Sequence, residues 1–186
     1  CLGLEAVLPC GQIVSTMKPL KKNNMGFDLK NLLIGSEGTL GIITSTILKT
    51  FPIPKDPVSI FLSINNLADV LFVFEKISRE FSERILAFEL IKMTSIDFIE
   101  ETGFTIKNPF NKKTNWKVLI EIDVNIGQIN LGEIIENTFY DLLLENKIVE
   151  VFFATNINQR NEFWKIRELI PAANRKKGSI CSNDIS

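Results

Sequence analysis

Val58-Ser59-Ile60-Phe61-Leu62-Ser63-Ile64 is the stretch on which the reading of this fold turns. Its length and its share of β-branched and aromatic side chains predict a strand. Directly behind it the apolar period lengthens. Leu67, Val70, Leu71, Phe74, Ile77 and Phe81 recur at helical spacing after Asn66, a residue suited to capping a helix.

Toward the C-terminus the alternation continues. Ile85 to Ile91 predicts a strand, and Thr94 to Thr102 a short helix ended by Gly103. A polar loop containing Pro109 runs to Asn115. Trp116 to Val124 predicts a strand in which Val118, Ile120, Ile122 and Val124 alternate with the other face. Leu131, Ile134, Ile135, Thr138, Phe139, Leu142 and Leu143 form an amphipathic helix, Val149 to Ala154 a fourth strand, and a further helix starts near Asn158. Strand, helix, strand, strand, helix, strand is the ferredoxin-like split βαβ order, which predicts a four-stranded antiparallel sheet with two helices on one face. The fold class is therefore α+β. That architecture hosts many functions and names none of them.

Toward the N-terminus, Pro52, Pro54 and Pro57 mark a stiff connector. The expected domains are residues 1–56 and 57–186. The first part reads as β-rich. Leu2 to Leu8 and Gln12 to Thr16 predict two strands joined by a turn at Pro9-Cys10-Gly11-Gln12. Asp28 is placed to cap a short helix through Leu33, and a β-branched run follows from Ile42 to Ile47.

Composition narrows the function classes. The chain has 186 residues, enough to bury about 70% of its unfolded surface. Its net charge is −1, which leaves little for neutralising nucleic-acid phosphates. Three scattered cysteines (Cys1, Cys10 and Cys181) include no C-x-x-C pair, against both a disulfide framework and a structural zinc site. They suit a reducing compartment, and the expected location is cytoplasmic. No apolar run approaches the ~18 residues of a membrane span. Histidine is absent, so neither a Ser-His-Asp triad nor a histidine metal site can be assembled from these residues. No initiator methionine and no signal peptide precede the first strand, and the expectation is an internal fragment of a longer enzyme.

Two places carry candidate chemistry. In Gly35-Ser36-Glu37-Gly38-Thr39-Leu40-Gly41 the glycines stand three apart before a strand. Such spacing lets main chain approach a ligand and present its N–H groups, and it equally serves a tight turn. It is neither a Walker A loop nor a G-x-G-x-x-G fingerprint. On the last helix Phe163, Ile166 and Ile170 define an apolar stripe with Arg167 beside it. A guanidinium there either grips a carboxylate or pairs with Glu162 or Glu168. Pro171 deprives the Arg167 carbonyl of its helical partner, so the helix is expected to kink or end. Glu89, facing away from Phe88 on its strand, reads as a solvated or salt-bridged carboxylate.

Lys21-Lys22-Asn23-Asn24-Met25-Gly26-Phe27-Asp28-Leu29 and the run from Leu33 to Thr44 resemble the FAD-linked oxidase family. That family includes the flavoprotein component of glycolate oxidase, D-lactate dehydrogenase and D-2-hydroxyglutarate dehydrogenase. The resemblance extends through Ala87-Phe88-Glu89-Leu90, Val118-Leu119-Ile120-Glu121 and Trp164-Lys165-Ile166-Arg167-Glu168 to Asp184-Ile185-Ser186. It implies the C-terminal part of a para-cresol methylhydroxylase-like FAD-binding domain followed by a substrate-facing cap domain. It implies FAD contact by Glu37, Gly38, Thr39, Leu40, Gly41, Ile42 and Ile43, and a substrate carboxylate held by Arg167. Met25 and Phe27 replace the family's usual Thr and Tyr, Cys10 its Asp, and Ser182 its frequent Lys. The implied activity is oxidation of a D-2-hydroxy acid to the 2-oxo acid, with the base and any metal outside this chain. The electron acceptor stays open, as does a homo-oligomer or partner protein. The alternatives are a non-enzymatic ferredoxin-like binding or subunit-contact module, and a flavoenzyme resembling alkyl-glycerone-phosphate synthase.

Overall fold

The computed structural model describes residues 1–17, 27–54, 57–124 and 131–178. Lys21 to Gly26, and with them Met25, lie outside these residues, as do Cys181, Ser182 and Asp184 to Ser186. The chain divides into two compact units, Cys1–Ile53 and Pro54–Ser186.

In the first unit, strands β1 (Gly3–Val7), β2 (Ile13–Ser15) and β3 (Ile42–Ile47) form a sheet in the order β2-β1-β3. Both pairings are antiparallel, and the β1–β3 register slips between Glu5 and Ala6. The turn between β1 and β2 closes with Leu8 N–H donating to the Gln12 carbonyl at 2.9 Å. Leu4, Ala6 and Leu33 are its buried core, with Leu8 packed against them. Leu33 comes from the short helix α1 (Leu29–Leu33). Asp28 caps α1 differently from expectation. Its carboxylate accepts from the side chains of Lys30 and Asn31 instead of from a first-turn N–H.

The second unit is built around strands β4 (Val58–Ile64), β5 (Ile85–Lys92), β6 (Trp116–Ile122) and β7 (Glu150–Phe153), paired antiparallel in the order β5-β6-β4-β7. Helix α2 (Leu67–Phe81) begins where the period changes, and Asn66 accepts from Asp69 N–H at 2.9 Å. The apolar stripe of α2 (Val70, Val73, Ile77 and Phe81) and that of α4 (Leu131–Leu144) cover Ile60, Leu62, Val118 and Ile120.

The expectation of helices on one face needs correction. The opposite face is covered too, by α3 (Met93–Glu101) and α5 (Ile157–Lys177), through Ile96, Ile99, Phe163, Ile166 and Ala173 over Phe61 and Leu119. Consequently β4 buries side chains on both sides, and Ser59 and Ser63 are as enclosed as Ile60 and Leu62. At Pro171 the helix does not end. The proline removes a helical N–H, yet α5 continues past it to Lys177.

Candidate functional site

The glycine-spaced bend belongs to the first unit and hangs between α1 and β3. Gly35, Glu37 and Gly38 adopt φ of 80°, 50° and 79°. The left-handed backbone at Glu37 costs roughly 1–2 kcal/mol for a residue bearing a Cβ, a strain typical of functional bends. The turn is cinched at Thr39, whose N–H and hydroxyl both donate to the Ser36 carbonyl, at 2.9 and 2.6 Å. Gly41 is buried, and a Cβ there would meet the Val7 carbonyl oxygen at 2.9 Å. Only glycine lets β3 leave the bend so close to β1.

The rest of the segment faces outward. Glu37, Gly38, Thr39 and Leu40 are exposed, and Ile42 and Ile43 are 64% and 41% exposed although they point to opposite sides of β3. Main chain without bulky cover, flanked by apolar side chains, suits a flat heteroaromatic group laid against the backbone. These residues fit the flavin implied by the resemblance.

Arg167 belongs to the second unit. It sits on α5 one turn from the buried Phe163 and beside the buried Ile166, which fix its Cα over the sheet. Its partner is neither Glu162 nor Glu168 but Glu89 on β5, which accepts from Arg167 Nε at 3.2 Å. Glu162 lies 3.9 Å from Lys107 instead. Among the described residues the terminal nitrogens of Arg167 make no hydrogen bond, and the side chain is 44% exposed. A guanidinium held by one edge with its fork free can accept a carboxylate on that fork.

A second polar group under α5 was not foreseen from the sequence. The Glu121 carboxylate is 6% exposed and accepts four hydrogen bonds. Arg160 donates Nε to Oε1 at 2.6 Å and a terminal nitrogen to Oε2 at 3.0 Å, Trp164 Nε1 donates at 2.7 Å and Ser59 Oγ at 2.6 Å. Burial pushes the Glu121 carboxyl upward, but the donors from Arg160, Ser59 and Trp164 outweigh it and hold the group below the usual carboxylate range. Bonding to Glu121 raises Arg160 in turn. Ser59 and Glu121 are directly paired across β4 and β6, and Ser63 and Lys117 are paired on the same face, so polar residues alternate with Phe61 and Leu119 there.

The same face carries a third polar cluster. Lys117 is fully buried, donates to Thr114 Oγ1 at 2.6 Å and lies 4.2 Å from the Phe110 ring centroid. Burial lowers its ammonium against the opposing charge of Glu150. Glu150 is tied separately, by the N–H groups of Asn111 and Lys112, each at 3.1 Å. A cleft of about 450 Å³ opens near the start of α5, lined by Lys107, Asn108, Phe152, Asn156, Gln159 and Glu162 among others. Arg167 lies eight residues beyond Gln159, ~12 Å further along the helix axis. Among the described residues no group of three or more His, Cys, Asp or Glu side chains could hold a metal ion. No described helix is long and apolar enough to cross a membrane.

Comparison with known proteins agrees with the family read from the motifs. The family model described as "FAD linked oxidases, C-terminal domain" matches residues 53–186. D-2-hydroxyglutarate dehydrogenase, mitochondrial, of Arabidopsis thaliana is 32% identical over 185 residues, covering 100% of this chain and 33% of that protein. D-2-hydroxyglutarate–pyruvate transhydrogenase of Saccharomyces cerevisiae is also 32% identical, with 100% and 37% covered. A putative D-lactate dehydrogenase, mitochondrial, of Schizosaccharomyces pombe is 32% identical over 190 residues, with 100% and 35% covered. The chain thus spans about a third of the length of these relatives.

The cytoplasmic expectation is overturned by these names, several of which place the relatives in mitochondria. Unpaired cysteines distinguish reducing from oxidising surroundings and cannot tell one reducing compartment from another. With the family model covering most of the chain, and with relatives alike along its whole length, the protein belongs to the FAD-linked oxidases, a family of FAD-dependent enzymes, and residues 53–186 are the family's C-terminal domain.

Proposed function

We propose that the intact protein is a mitochondrial, FAD-dependent dehydrogenase that oxidises a D-2-hydroxy acid of the D-2-hydroxyglutarate or D-lactate class to the 2-oxo acid. The observation that carries the reading is Arg167. It is anchored through α5, held at Nε by Glu89, and its half-exposed side chain bears terminal nitrogens with no partner among the described residues, suited to a carboxylate. In this reading residues 1–56 complete the FAD-binding domain and residues 57–186 form a ferredoxin-like, substrate-facing cap. Glu37, Gly38, Thr39, Leu40, Gly41, Ile42 and Ile43 back the flavin, chiefly through main chain.

Bound there, FAD supplies the two-electron acceptor that the oxidation of a secondary alcohol requires. The work of this chain is orientation. Arg167 fixes the substrate carboxylate and so fixes where the Cα hydrogen points. The group that removes the hydroxyl proton comes from sequence outside these residues. The relatives' names favour the D-2-hydroxyglutarate or D-lactate class.

The test is a substrate panel on the full-length protein with an artificial electron acceptor, run beside Arg167→Met. The expected result is turnover of one of these two D-acids, with KM raised at least about tenfold in the variant, the scale of a lost bidentate ion pair. Turnover of neither acid, or an unchanged KM, rejects the reading.

A further inference from the structure

We propose that Glu89 is a positioning residue for Arg167, setting the direction of its carboxylate-binding fork. The inference rests on the proposed role of Arg167 and adds a second residue to it.

Three observations converge. First, Glu89 lies on the face of β5 that meets α5. Its neighbour across the sheet is Leu119, which packs in the core beneath Phe163 and Ile166. The strand side and the helix side of the contact are therefore both set by buried packing. Second, the contact uses Nε of the guanidinium and leaves the two terminal nitrogens without partners among the described residues. An arginine held through Nε can turn only about the line of that bond, so its fork presents one edge outward. A free arginine would spread over many rotamers and would lose that freedom on meeting substrate.

Third, α5 itself is pinned against rolling. Glu121 holds Arg160 by two bonds and Trp164 by one, at positions two turns and one turn before Arg167 respectively. With the helix fixed upstream and the guanidinium fixed at its root, the remaining variable is the acceptor at position 89. At 34% exposure Glu89 lies at the margin of the core, and a Tm measurement on its variants separates direction from folding. A glutamate beside the fork could instead compete with an anionic substrate, and the two roles predict opposite changes in KM.

The experiment compares wild type, Glu89→Ala, Glu89→Gln and Arg167→Met in the full-length protein, with D-2-hydroxyglutarate and D-lactate as probes. In Glu89→Ala, KM should rise about five- to tenfold, the scale of one solvent-screened charge-assisted hydrogen bond. Its kcat should stay within about twofold and its Tm should not move. Glu89→Gln keeps an acceptor for Nε and should restore KM to within about twofold of wild type. An unchanged KM in Glu89→Ala overturns the proposal. A lowered KM in both Glu89 variants overturns it as well and makes the carboxylate a competitor. If Arg167→Met raises KM while Glu89→Ala does not, positioning alone fails. If Arg167→Met leaves KM unchanged, the substrate reading falls and positioning with it.

Discussion

Arg160 lies side-on against Glu121, its Nε 2.6 Å from one carboxylate oxygen and a terminal nitrogen 3.0 Å from the other. This pair, closed above by Trp164 and below by Ser59, ties α5 to the central strands of the sheet. Packing alone would let a helix rock on a smooth apolar surface. A buried, directional ion pair fixes one register.

Replacing Glu121 therefore costs more than a surface charge would. Glu121→Gln should lower the stability of the full-length protein by about 2 kcal/mol, the scale of hydrogen bonds to a charged group. The effect also has a pH signature. The folded carboxyl titrates below its ordinary value, so its contribution is complete above about 4.3 and is lost as pH falls through the folded value. Melting curves should show wild type losing its advantage over Glu121→Gln as pH drops from neutral toward 3. A constant difference across that range contradicts the assignment.

Lys117 runs the opposite way. Its folded ammonium titrates low, so charging it opposes folding at neutral pH, and that cost fades as pH rises toward the ordinary lysine value of about 10.4. Lys117→Met keeps an unbranched chain in the same space. Thr114 can still donate to the Trp116 carbonyl, and Glu150 keeps its two main-chain donors. The variant should melt at or above the wild-type temperature at pH 7, with any gain shrinking by pH 9–10. A drop of several degrees would show that the lysine stabilises the fold.

Gly41 offers a backbone test. A Cβ there meets the Val7 carbonyl, which belongs to β1 and cannot swing aside as a side chain would. Gly41→Val should force β3 away from β1 and distort the bend at its exit. In the full-length protein the expected result is loss of bound flavin, read as visible absorbance per polypeptide, ahead of any change in substrate KM. Full flavin content in that variant would place the cofactor elsewhere.

The first unit makes a fourth prediction. Its buried core is Leu4, Ala6 and Leu33, while Ile13, Phe27, Leu32, Ile42, Phe51 and Ile53 are exposed. Among the described residues this core is small, which favours weak retention of a cofactor by the unit alone. Residues 1–186 expressed alone should purify without flavin and should bind a hydrophobic dye. Yellow protein at stoichiometric flavin would refute this.

Much of the second unit was legible because its helices and strands obey their periods. The stretches 58–64 and 67–81 could be bounded to the residue, since Asn66 sits where the period changes and supplies the cap. The cover on the second sheet face was harder to see. Its signal in β4 is Phe61 alone, set between Ser59 and Ser63, a pattern that also fits a strand with one face in water. The polar group around Glu121 was invisible for another reason. Its members stand at positions 59, 121, 160 and 164, and only tertiary pairing brings them together. Arg167 could be singled out by its helix position and its motif. Its partner Glu89 is 78 residues away in sequence, nearer candidates exist, and local spacing had no means of preferring it.

Because β4 and its neighbour β6 are walled on both sides, the two layers of helices lean on two paired ribbons of seven residues each. A side chain that fits poorly at Phe61 would displace backbone shared with Ile60 and Leu62, and the misfit would pass through the sheet to α2 and α4. Lesions in this strand should thus be felt on both sides at once. A substitution chosen to loosen the arginine-bearing helix would be a poor instrument if placed there, whereas one placed on the outer turns of α5 would leave the opposite layer undisturbed.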